Sequence, residues 1–302
     1  MDFVHPEALV GADWLAEHYQ DPDVRVVDAT YHLEISERDA REEYGFRHIP
    51  GAVFFDVDDV SDKDSPLPHM APSPEVFAAK VGEMGIGNRH KVVVYDTAGG
   101  FLAAARVWWM FRLYGHDDVA MLDGGLAQWG RRRLPVEGGE AKVTPTTFKA
   151  GFRPELVRDV RQVQANIAAG RELVVDARNQ RRFLGQDWEP RECRHLGHIP
   201  GSVNLPFNEL MIPRKDYLFR SPDEIAEAFA RAGVDFSRPV VSSCGSGLTA
   251  AVITFAGYLL GHENMAVYDG SWAEWGNRAD LPHDRSGPHP GEASGITAAP
   301  AE

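Results

Sequence analysis

Cysteine is nearly absent. The 302 residues include two, Cys193 and Cys244. A disulfide framework and a Cys₄ or Cys₃His zinc site are therefore excluded, and such sparse use suits a reducing compartment. Basic residues are outnumbered, 31 against 45 acidic, giving a net charge of −14. That balance disfavours a nucleic-acid partner, which selects a basic face. No apolar run nears the ~18 residues that a membrane span needs. The first residues, Met1-Asp2-Phe3-Val4-His5-Pro6-Glu7, lack the basic and apolar regions of a secretory signal. The expected setting is the cytoplasm, with no membrane partner.

What is present is an internal duplication. Val26-Val27-Asp28-Ala29 returns as Val174-Val175-Asp176-Ala177, and His48-Ile49-Pro50-Gly51 returns as His198-Ile199-Pro200-Gly201. Gly115-His116 returns as Gly261-His262. Asp123-Gly124-Gly125-Leu126-Ala127-Gln128-Trp129-Gly130 returns as Asp269-Gly270-Ser271-Trp272-Ala273-Glu274-Trp275-Gly276. The offsets are 148, 150, 146 and 146 residues by subtraction. Four blocks in one order at nearly one offset describe two copies of a domain, not a solenoid of ~20–50-residue repeats.

Each copy reads as α/β. Arg25-Val26-Val27, Lys91-Val92-Val93-Val94-Tyr95, Leu173-Val174-Val175 and Pro239-Val240-Val241 have the continuous apolar character of buried parallel strands. Helical patterns follow Ser73-Pro74-Glu75 and Ser221-Pro222-Asp223, where a serine cap precedes proline at the first helical position. The expected fold is two tandem domains, each a mostly parallel sheet with helices on both faces. Their expected limits are 1–138 and 155–285, joined by a linker over 139–154. The Gly-, Ala- and Pro-rich tail, 286–302, is expected to be disordered.

Cys244 follows one of these strands and opens the loop Cys244-Gly245-Ser246-Gly247-Leu248-Thr249 before an apolar helical run. Amides freed by glycine and a helix N-terminus favour a thiolate there, the nucleophilic form of cysteine. Counting back 146 residues, the matching position in the first copy is Ala98. The fold therefore does not require a thiol there, and its presence in the second copy calls for a chemical reason.

These motifs resemble the rhodanese superfamily, specifically its two-domain sulfurtransferases. The first copy's Tyr44-Gly45-Phe46-Arg47-His48-Ile49-Pro50-Gly51-Ala52-Val53 and the second copy's cysteine loop and Tyr268-Asp269-Gly270-Ser271-Trp272 carry the likeness. The resemblance implies that Cys244 takes a sulfur atom as a persulfide and passes it to an acceptor, with no cofactor and no metal. Members using thiosulfate tend to have Cys-Arg-Lys-Gly, and those using 3-mercaptopyruvate Cys-Gly-Ser-Gly. Cys244-Gly245-Ser246-Gly247 is of the second kind. By the same resemblance Arg182 and Arg191 grip the 2-oxo acid, while Gly245, Gly247, Leu248 and Thr249 line the sulfur site. Guanidinium suits a carboxylate and a keto oxygen. Asp58 and His69 of the first copy would form a proton relay with Ser246. The acceptor would be a thiol, such as thioredoxin or a small thiol, or an iron–sulfur assembly protein.

Thiosulfate as donor, or a sulfur carrier without turnover of its own, remain alternatives. A cysteine phosphatase does not, because the arginine needed six residues after the cysteine is Ala250. Other landmarks read as structural. His48 and His198 sit in matched turns, and Asp28 and Asp176 are expected to bind loop amides. Asp123 and Asp269 are expected to cap helices. Arg178, Arg181 and Arg194 read as surface arginines, and Cys193 as a free, inert thiol.

Overall fold

In the computed structural model, residues 1–97, 103–212 and 217–286 are described. The expected disordered tail and Ala98 thus lie almost wholly, and wholly, outside the described residues. The first half contains β1 (Leu9–Val10), β2 (Val24–Asp28), β3 (Val53–Phe54), β4 (Lys91–Tyr95) and β5 (Val119–Leu122). They form one parallel sheet in the order β1-β5-β4-β2-β3. Helices α1 (Ala12–His18), α2 (Ala40–Phe46), α3 (Pro74–Glu83), α4 (Ala104–Leu113) and α5 (Gly125–Arg131) surround it.

The second half repeats this plan. Its strands are β6 (Val157–Arg158), β7 (Leu173–Asp176), β8 (Val203–Asn204), β11 (Val240–Ser243) and β12 (Ala266–Tyr268), in the order β6-β12-β11-β7-β8. A small antiparallel pair, β9 (Met211–Ile212) with β10 (Leu218–Phe219), is inserted between β8 and β11. Helices α6 (Val160–Ala169), α7 (Gln180–Phe183), α8 (Pro222–Arg231), α9 (Ala250–Leu259) and α10 (Ser271–Trp275) complete it. No helix among the described residues is long and apolar enough to cross a membrane.

The serine caps form as the sequence predicts. Ser73 accepts the Val76 amide at the start of α3. Ser221 and Glu224 make a reciprocal capping box on α8. Gly138 onward packs closely on the first domain. Thr146 and Gly151 donate to the carbonyls of Gly82 and Tyr114, and Phe148 is buried in the core.

The two halves meet along α4 and α9, every residue of which is buried. A helix apolar on all sides is one covered on all sides. Trp108 of α4 stands edge-on to Phe255 of α9, with ring centres 4.8 Å apart. The guanidinium of Arg112 lies 4.1 Å from the centre of the Tyr258 ring. At the N-terminus, Val4 donates to the Leu259 carbonyl, so the first residues lie on the second domain.

Two aspartates expected to cap helices instead bind across this interface. Asp123 accepts the Phe219 amide at 2.9 Å. Asp269 accepts from Arg106 at 2.6 Å and from the Ala71 amide at 2.7 Å. The helix caps are the following glycines, Gly124 and Gly270, which have no side chain to offer. The carboxylates are therefore free to face the partner domain, a choice that only the docking of the two copies reveals.

Candidate functional site

The strand register identifies the first-domain counterpart of Cys244. Asp176 on β7 is level with Ser243 on β11, and Asp28 on β2 is level with Tyr95 on β4. Asp96 therefore stands where Cys244 stands. The Cys244 carbonyl accepts the Trp272 amide, just as the Asp96 carbonyl accepts that of Leu126. This corrects the match to Ala98, which assumed loops of equal length. The first copy has eight residues between strand and helix (96–103), the second six (244–249). Either way the first copy has no thiol.

Cys244 is 2% exposed. The Gly247 amide donates to its Sγ at 3.1 Å, and α9 begins at Ala250, so the helix's positive end faces the loop. The Cys244 amide donates to Ser271 Oγ at 3.1 Å, and that hydroxyl donates to the Tyr268 carbonyl. The first copy has Gly125 at the position of Ser271, and both residues have positive φ, 54° and 49°. A serine retained in a backbone conformation that favours glycine is a sign of a needed hydroxyl. Comparing the repeats at this position could have found it.

A cavity of about 180 Å³ opens on the sulfur. Gly245, Ser246, Leu248 and Thr249 form its floor with Cys244, while Arg182 and Arg191 stand on its wall. Gly247 contributes its amide to the sulfur. Leu33 is the first domain's contribution to the lining. Cys193 also lines the cavity as a free thiol. It donates to the His195 carbonyl, and burial pushes its pKa up, which suits the inert role expected of it.

The two arginines differ. Arg182 is paired with Glu189, which also accepts from Arg178 at 2.7 Å. Arg178 is 1% exposed and binds Asp176 and the Gly197 carbonyl as well. The sequence reading placed Arg178 on the surface; its position two residues beyond a buried strand aspartate folds it inward. Arg181 remains exposed, as expected. Among the described residues, Arg191 hydrogen-bonds no carboxylate. Its hydrogen bonds go to Ser246 Oγ at 3.1 Å, Tyr31 Oη at 2.9 Å and His69 Nε2 at 2.9 Å.

Asp58 and His69 do cross the domain interface. His69 Nδ1 is 2.5 Å from Asp58 Oδ1. Burial lowers the His69 pKa against the pull of Asp58, while the ring beside it lowers that of Asp58. A guanidinium only donates, so Nε2 facing Arg191 must accept, and Nδ1 carries the proton toward Asp58. The expected relay is thus modified. The Arg191 guanidinium lies between His69 and Ser246, giving the order Asp58–His69–Arg191–Ser246. Tyr31, Arg106, Arg178, Glu189 and Ser271 were not read as site residues from the sequence.

His48 and His198 are buried, stack on Tyr44 and Phe183, and bond to the carbonyls of those residues. Both are structural, as their presence in both copies predicts. Asp28 and Asp176 accept the loop amides of Thr30 and Arg178, also as expected.

The rhodanese-like domain family matches residues 11–132 and again 159–278. The chain is 43% identical to human 3-mercaptopyruvate sulfurtransferase, over 90% of this chain and 93% of that one. It is 42% identical to mouse thiosulfate sulfurtransferase, again over 90% of this chain and 93% of that one. The crystal structure of SseA from Escherichia coli, a 3-mercaptopyruvate sulfurtransferase, superposes with a TM-score of 0.80 at 41% identity, covering 88% of this chain and 99% of that one. Two copies of one domain, a lone buried thiol at the end of a central strand and these likenesses lead to one assignment: the chain belongs to the rhodanese-like family, as a tandem-domain sulfurtransferase.

Proposed function

We propose that this enzyme moves sulfur from 3-mercaptopyruvate to a thiol acceptor through a persulfide on Cys244. The observation that carries the donor assignment is the charge of the cavity. Arg182 is paired with Glu189, and Arg191 is the wall cation that no carboxylate among the described residues hydrogen-bonds, Asp58 reaching it only through the His69 ring. One guanidinium without a directly bonded carboxylate suits one carboxylate, and the uncharged Gly245 and Ser246 offer nothing further to a compact dianion.

In the first half-reaction the Cys244 thiolate attacks the donor's sulfur. An S–S bond forms, the C–S bond breaks, and its electron pair stays on carbon as the enolate of pyruvate. The proton of the donor's S–H passes to the enolate carbon by way of the Ser246 hydroxyl, which is refilled as it gives, and the deprotonated persulfide remains on the enzyme, so charge balances. Ser246 accepts from Arg191, which leaves its own hydroxyl hydrogen to donate to the enolate. Neutral His69, oriented by Asp58, holds Arg191 in place. The Gly247 amide stabilises negative charge on sulfur. In the second half-reaction an acceptor thiolate takes the outer sulfur and Cys244 is restored, a ping-pong cycle. Thioredoxin, a small thiol or an iron–sulfur assembly protein in the cytoplasm fits that acceptor role.

The test is kcat/KM for 3-mercaptopyruvate against thiosulfate, with cyanide as common acceptor. The expected preference for 3-mercaptopyruvate is at least about tenfold, the effect of one well-placed charged contact. A preference for thiosulfate would make it a thiosulfate sulfurtransferase. No turnover of either donor would leave a sulfur carrier.

A further inference from the structure

Arg106 is a charged residue on an otherwise largely apolar helix, in the domain that has no thiol. Its counterpart in α9, 146 residues on, is Val252, so helix packing at this position does not demand a charge. The side chain is fully buried and lies 4.9 Å from the centre of the Trp109 ring. Burying a guanidinium is costly unless specific acceptors meet it.

Three acceptors do, each from a different part of the site. Nη1 donates to Asp269 Oδ1 at 2.6 Å and to the Gly247 carbonyl at 3.2 Å, and Nη2 donates to the His69 carbonyl. The amide of Gly247 is the donor to Cys244 Sγ. His69 has a left-handed backbone, φ 56°, and presents its ring to Arg191. The other oxygen of Asp269 holds the Ala71 amide, two residues beyond His69. Gly247 itself has φ 79°, and a Cβ there would come 2.8 Å from both Arg106 Nη1 and the Asp269 carbonyl oxygen. The second glycine of the cysteine loop is thus required by the close approach of Arg106 and of the Asp269 carbonyl as well as by its own backbone. A glycine in that conformation is also the residue with most freedom to leave it.

We propose that Arg106 is a positioning residue for sulfur transfer, through which the thiol-free domain fixes the Gly247 amide on the Cys244 sulfur and the His69 loop against Arg191. The inference rests on the reading of Cys244 as the sulfur carrier. A planar fork presents donors on two separate nitrogens, as these acceptors require, whereas an ammonium has all three donors on one atom.

Arg106→Lys and Arg106→Gln test it, with folding checked by circular dichroism and melting. Expected is a fall in kcat of about tenfold to a hundredfold with both donors, while KM changes less than about threefold. Alkylation of Cys244 by iodoacetamide, which needs no donor, should slow as well. Asp123→Asn, which alters an interface contact that does not touch the loop, should leave kcat and alkylation near wild type. A folded Arg106 variant with kcat and alkylation within twofold of wild type would overturn the proposal. So would an equal loss in Asp123→Asn, or failure of both Arg106 variants to fold, which would make the residue architectural. If the wild type turned over neither donor, the functional reading would fail, and the alkylation rates would still test Arg106.

Discussion

The two halves finish the same strand in opposite ways. In the first, β4 runs into Asp96, whose carboxylate accepts the amides of Ala103 and Ala104 at 3.2 and 3.1 Å. In the second, β11 runs into Cys244, whose sulfur accepts the amide of Gly247 at 3.1 Å. The fold thus turns amide donors toward the side chain at this strand end in both copies. In the first copy that side chain is a carboxylate, a fixed structural group. In the second copy a cysteine sulfur stands there instead, the atom proposed above to carry the transferred sulfur. The arginines on the cavity wall come from the second copy alone. The thiol-free copy instead supplies His69 with its partner Asp58, Tyr31 and Arg106, which reach across the interface.

The sharpest way to break this comparison is to exchange the two residues. Cys244→Ser should lower kcat by at least about a thousandfold, as loss of a covalent nucleophile does. Intact-protein mass spectrometry should then find no sulfur added after 3-mercaptopyruvate. Adding Asp96→Cys to that variant should not restore transfer, because Arg182 and Arg191 line the cavity at the second strand end. Recovery of a persulfide on residue 96 would mean that the loop alone suffices.

Arg191→Ala sharpens the comparison at the cavity wall. It should lower kcat/KM for 3-mercaptopyruvate by about a hundredfold, roughly 3 kcal/mol, the scale of one buried charge-assisted contact. Alkylation of Cys244 should change far less. An equal fall for a neutral alkylating agent would move Arg191 from donor recognition to support of the thiol.

The smallest effect is at the interface. Burial pushes the Asp123 pKa up to about 6. A carboxyl that holds its proton more tightly when folded stabilises the fold below its unfolded pKa. That contribution falls away as pH rises through about 6, on the order of 2–3 kcal/mol in all. Asp123→Asn cannot ionise, so urea unfolding at pH 4 and pH 7 should differ less for the variant than for wild type. An unchanged difference would place the titration elsewhere.

Most of the architecture was legible because it is local or repeated. Ser73 and Ser221 announce their helices by hydrogen-bond chemistry within four residues. The valine runs announce buried strands, and the duplicated blocks announce two domains. Cys244 was legible for the same reason: strand, glycine loop and helix follow one another in the chain. Ser271 was readable in principle, as the serine that replaces Gly125 of the other copy. Arg178 was misread because a guanidinium's burial depends on Glu189 and Gly197, residues that the chain brings back by a turn. Asp123 and Asp269 were misread because their partners lie in the other domain.

By itself, then, the sequence determined that this chain is a tandem repeat of one α/β domain with one cysteine at a strand–glycine-loop–helix junction, since strand, loop and helix propensities act over a few residues. Tertiary structure alone decided how that thiol is surrounded. The order Asp58–His69–Arg191–Ser246, the grip of Arg106 on Gly247, and the stand-in of Asp96 for Cys244 all depend on strand register and on α4 packing against α9. Those are contacts between residues up to about 160 positions apart, which pack because both helices must bury every face.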